Sequence, residues 1–93
     1  MEDMSNEQKT WLKAAEGGDM LATFNLGKYY AEKEEFEEAQ KWFGNLANKG
    51  HLGGLYKHGE VFVKQNKIDE AKVWLQKAAE KGHMKAKELL ETL

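Results

Sequence analysis

The segments 39–51, AQKWFGNLANKGH, and 71–83, AKVWLQKAAEKGH, stand 32 residues apart and repeat one another. Ala39 meets Ala71, Trp42 meets Trp74, Ala47 meets Ala79, and Gly50-His51 meets Gly82-His83. The same offset, carried through the chain without a gap, adds Ala15 and Gly18 to the series and pairs Gly27 with Gly59. It also aligns Tyr30 with Phe62, Phe36 with Ile68 and Phe43 with Leu75. A fixed period of this length is the mark of a repeat architecture whose unit is one supersecondary element. Within each unit the apolar residues fall at helical spacing: Ala22, Leu26, Tyr29 and Tyr30 in one run, then Phe36, Ala39, Trp42, Phe43 and Leu46. Each unit is therefore a leading helix followed by a trailing helix. The few polar residues between them, 33–35 and 65–67, force the two to lie antiparallel.

The phase of the repeat sets the domain plan. The chain opens on a trailing-type helix (5–17), runs through repeat one (19–50) and repeat two (51–82), and closes on a lone leading-type helix (83–92). Six helices and no strand are expected, in a single domain spanning 1–93. Gly18, Gly50 and Gly82 mark helix ends that need a left-handed residue. Asp19 follows the first of them as an N-cap, and His51 and His83 hold the corresponding position. Ser5 and Gln8 form a capping box for the opening helix.

The stretches Ala22-x-x-x-Leu26-Gly27-x-x-Tyr30, Ala39-x-x-Trp42 and above all Ala71-x-x-Trp74-x-x-Lys77-Ala78-Ala79-Glu80-x-Gly82-His83 resemble the Sel-one-like repeat (SLR), a relative of the tetratricopeptide repeat. The closing Ala-Ala-x-x-Gly and the absence of Pro set the chain apart from the tetratricopeptide pattern proper. The resemblance covers residues 10–90 or so and implies an all-α, right-handed alpha-alpha superhelix, a solenoid used for protein binding. The unit is shorter than is usual for that family, the Gly-Pro loop is missing, and Gly54 and His58 stand where Ala and Leu are the rule.

Composition narrows the function classes. Ninety-three residues, 41% of them hydrophobic and three of them Trp, make one folded domain. There is no Cys, so disulfides, thiolate nucleophiles and Cys-based zinc sites are excluded. All fourteen basic residues are Lys, and without the bidentate Arg fork or a basic patch interleaved with aromatics nucleic acid is a poor partner. The halves differ in sign: residues 1–50 carry 6 Lys against 10 acids, and 51–93 carry 8 Lys against 6. No segment approaches a membrane span and residues 1–10 lack an apolar leader core, so cytoplasmic residence is the expectation.

No catalytic residues, metal site or cofactor are expected. His51 and His58, seven apart on one helix, are better read as a cap and as a buried, hydrogen-bonded core residue than as ligands. Trp42 and Trp74 read as core, and the acidic run Glu32, Glu34, Glu35, Glu37, Glu38 as a solvated helix start. The remaining candidate surface is the side of the leading helices opposite the core. Stepping 100° per residue from Leu26 places Leu21, Phe24, Lys28 and Glu32 there, with Tyr56, Glu60 and Lys64 as their counterparts and Lys57 at the edge. Aromatic anchors between charges suit a peptide groove. The alternative for Phe24 and Tyr56 is sideways packing between adjacent leading helices. The functional expectation is an adaptor or scaffold that binds a protein or peptide segment on this concave face. Weak self-association through the open repeat ends, with Leu89, Leu90 and Leu93 on one side, is the alternative.

Overall fold

The computed structural model describes residues 4–93, so the first three residues of the single-domain span lie outside it. Six helices follow in order: α1 (Asn6–Glu16), α2 (Met20–Glu32), α3 (Phe36–Asn48), α4 (Leu52–Lys64), α5 (Ile68–Glu80) and α6 (Met84–Thr92). No strand occurs among the described residues. The starts of α2, α4 and α6, at 20, 52 and 84, keep the 32-residue offset, as do those of α3 and α5 at 36 and 68. Each helix packs on its neighbours in the chain, which draws the array out to 39 × 25 × 17 Å. The core is correspondingly a succession of clusters. Ala15, Ala22, Leu26 and Trp42 form the first, Ala39, Phe43 and Val61 the second, and Ala47, Leu55, Ala71, Leu75, Ala78 and Ala86 the third. Nearest-neighbour stacking of this kind defines a helical repeat array.

The five joints share one geometry. In each, the last residue before the next helix donates its amide to the carbonyl five positions back, as in Asp19 to Ala14 (3.0 Å), Glu35 to Tyr30 (2.9 Å) and His51 to Leu46 (3.0 Å). The residue before it bonds three positions back, as Gly18 does to Ala15 (2.9 Å), completing the Schellman motif. That middle residue is left-handed every time: Gly18, Gly50 and Gly82, and also Glu34 and Asn66, both at φ 60°. Asn tolerates this region, whereas Glu there suffers the crowding of its Cβ against the following carbonyl. Glu34→Gly is therefore expected to raise stability by about 1 kcal/mol, and Asn66→Gly by less, read from urea denaturation midpoints. A destabilised Glu34→Gly would mean the side chain does more for the joint than its backbone strain costs.

The starts of the helices differ by type. Asp19 accepts the Ala22 amide at 2.8 Å, and His51 and His83 do the same through Nδ1, from Gly54 at 3.0 Å and Ala86 at 3.1 Å. The capping box of α1 is complete, with Ser5 and Gln8 bonded reciprocally. Glu35 and Lys67, at the heads of the trailing helices α3 and α5, make no side-chain cap. Helices of a pair approach closely at two equivalent glycines. A Cβ on Gly27 would lie 2.5 Å from the Phe43 ring, and one on Gly59 would lie 2.7 Å from Leu75.

Candidate functional site

A cleft of about 80 Å³ opens between the leading helices α2 and α4. Its walls carry Lys28 and Glu32 from α2 and Lys57, Glu60 and Lys64 from α4, over Ala31, Phe43 and Val61. Five of the eight residues expected on the concave face thus converge on one feature. Lys57 and Glu60 form an ion pair at 3.3 Å, which the i,i+3 spacing permits. Lys28 and Glu32 also border a second hollow of about 180 Å³ on the side of α1, lined further by Gln8, Trp11, Asn25 and Tyr29. The two residues stand as a ridge between the hollows, so the polar surface runs from α1 over α2 to α4.

The other three expected residues sit apart from the cleft. Leu21, the second residue of α2, is 70% exposed. Phe24 and Tyr56 are half-buried and pack sideways. The Phe24 ring meets Phe43 edge-on at 5.7 Å and lies 6.1 Å from the His51 ring, while Tyr56 stacks on His83 at 4.5 Å with 17° between planes. Each ring is thus in contact with the capping histidine of the next leading helix, and the pairing repeats at the 32-residue offset. The Tyr56 hydroxyl donates to Glu60 at 3.2 Å. Burial first, and then the Glu60 carboxylate, hold the Tyr56 phenol above its ordinary pKa, so it remains a donor.

Gln8, Trp11, Asn25 and Tyr29 escape a helix-by-helix reading. Tyr29 carries helical spacing and reads as core, yet it is half-buried at the rim of the second hollow, with Lys33 Nζ 5.0 Å above its ring. The signal that places it is the meeting of α1 with α2, which a single helical wheel does not contain.

The histidines do not converge. His51 and His83 spend Nδ1 on their caps. His58 is 8% exposed, edge-on to Phe62 (4.9 Å) and Trp74 (4.8 Å). The expectation that it is hydrogen-bonded fails at Nδ1, which is buried without a partner, because aromatic rings rather than polar groups surround it. Among the described residues no three His, Asp or Glu side chains gather as a metal site, and no helix is long and apolar enough to cross a membrane. Trp42 is buried as core; its counterpart Trp74 is only half-buried, with Lys77 Nζ 4.7 Å above the ring. Of the acidic run only Glu32 reaches the cleft; Glu37 and Glu38 are exposed in the first turn of α3, where carboxylates complement the helix dipole. Comparison with models of protein families, with curated proteins and with solved structures finds no match to this chain.

Proposed function

We propose that this chain is a non-catalytic interaction module, an array of the Sel-one-like kind that binds an extended segment of another protein across α1, α2 and α4. The supporting observation is the cleft between α2 and α4, where Lys28, Lys57 and Lys64 stand among Glu32 and Glu60 over an apolar floor. Charges of both signs above apolar contacts let a peptide be held in one register, with attraction at matched positions and repulsion at mismatched ones. Because Phe24 and Tyr56 are engaged with His51 and His83, the charged walls carry more of this role than the aromatic rings do.

Selection of a displayed library of random peptides against the protein tests the reading. Recovered peptides should bind the double charge reversal Lys28→Glu, Lys64→Glu about tenfold more weakly, a change of about 1.4 kcal/mol. The loss should fall mainly on association rate and should shrink as salt is raised. Peptides indifferent to both reversals, or no enrichment at all, would sink the proposal. Association through the C-terminal repeat end draws less support, since Leu89, Leu90 and Leu93 are half-buried against the third core cluster.

A further inference from the structure

We infer that the edge formed by the starts of α2, α4 and α6 is a homodimer interface on which a second copy of this chain docks antiparallel. Met20, Leu52 and Met84 occupy the first position of these three helices, each 32 residues from the next, and are exposed at 50%, 37% and 66%. A solitary exposed apolar side chain needs no explanation. Three at equivalent positions of neighbouring repeats form a row on one edge, which marks a surface for association. The edge is separate from the cleft between α2 and α4, so its occupation leaves the cleft open.

Charge identifies the occupant. The equivalent segments 16–24, 48–56 and 80–88 surround the three apolar residues. The first carries Glu16 and Asp19 and no Lys, the second carries Lys49 alone, and the third carries three Lys against two Glu. The row is therefore acidic at its α2 end and basic at its α6 end. A two-fold axis at Leu52 sets the acidic end of each copy over the basic end of the other, and both ends are satisfied at once. Parallel docking would set like against like. The antiparallel arrangement is also closed, since a two-fold contact uses the same patch on both copies and leaves none over for a chain of copies.

A short edge makes a small interface, so the dimer belongs to the weak, transient class. Sedimentation equilibrium up to roughly 1 mM protein reaches the range where such a contact is populated. Leu52→Glu places a carboxylate at the first turn of α4, where the helix dipole favours it, so the array should keep its helicity and melting temperature. On the axis it replaces the central apolar contact of both copies with a carboxylate that docking would strip of water, and should raise the dissociation constant at least about tenfold. Glu16→Lys should raise it about threefold, and Glu16→Lys combined with Lys85→Glu should return it to within about twofold of wild type. A wild type that stays monomeric at the highest concentration would overturn the inference, as would an unaffected Leu52→Glu dimer. Failure of the charge swap to recover association would overturn the antiparallel register.

Discussion

Replacement of Phe43 by alanine is expected to cost about 3 to 5 kcal/mol, against a total stability that for a domain is typically about 5 to 15 kcal/mol. Phe43 is completely buried, in a cluster with Ala39 and Val61, and its ring meets Phe24 edge-on at 5.7 Å. What makes the site informative is its other neighbour. A Cβ on Gly27 would stand 2.5 Å from Phe43 Cε1, so the glycine is the space into which the ring fits. Gly27→Ala alone should cost about 1 to 3 kcal/mol by overpacking. In the Phe43→Ala background the same methyl enters vacated space and gains helix propensity, so the second substitution should be neutral or stabilising. Urea denaturation of the four proteins measures the coupling. Simple addition of the two losses would mean that ring and glycine do not share the contact. Trp74→Ala should cost less than Phe43→Ala, because Trp74 keeps part of its ring in water beneath Lys77.

The periodicity of the chain made most of this architecture legible in advance. The offset that aligns Trp42 with Trp74 also sets the helix starts, and Ser5, Asp19, His51 and His83 cap where their positions imply. The left-handed residues at Glu34 and Asn66 were not legible, because glycine announces that conformation and glutamate does not. The backbone bonds of the joint impose it on whatever residue stands there. By propensity alone Gly53, Gly54 and Gly59 would each cost α4 about 0.5 to 1 kcal/mol relative to Ala. Two of them turn out to be close contacts, Gly54 with Leu46 at 2.5 Å and Gly59 with Leu75 at 2.7 Å for an added Cβ. Packing that only glycine permits offsets part of the entropy it costs. The candidate site divides along the same line. Lys28, Glu32, Lys57, Glu60 and Lys64 converge because angular position on a helix is a local property. Phe24 and Tyr56 take the sideways packing that was the alternative for them, which depends on contact with the next repeat and not on angular position alone.

His58→Leu is expected to stabilise the array by about 1 to 2 kcal/mol at neutral pH and to remove a loss of stability in mild acid. The equivalent residue one repeat earlier is Leu26, fully buried, so the fold accepts Leu at this position. In the native chain the buried Nδ1 has no partner, and the ring lies between Phe62 and Trp74 with Gly44 of α3 close by. Burial alone holds the imidazole below its ordinary pKa, with no facing charge contributing. The unfolded chain, with its histidine near about 6.5, then binds a proton more readily than the folded one. Stability is retained above that value and declines as pH falls from about 6.5 toward the depressed folded value. Melts of wild type and His58→Leu across this range isolate the effect in their difference, since carboxylates and the capping histidines are common to both. The gap in favour of the variant should widen on acidification; a constant gap would mean that His58 titrates alike in both states, and a less stable variant would mean that the imidazole contributes packing which Leu cannot replace.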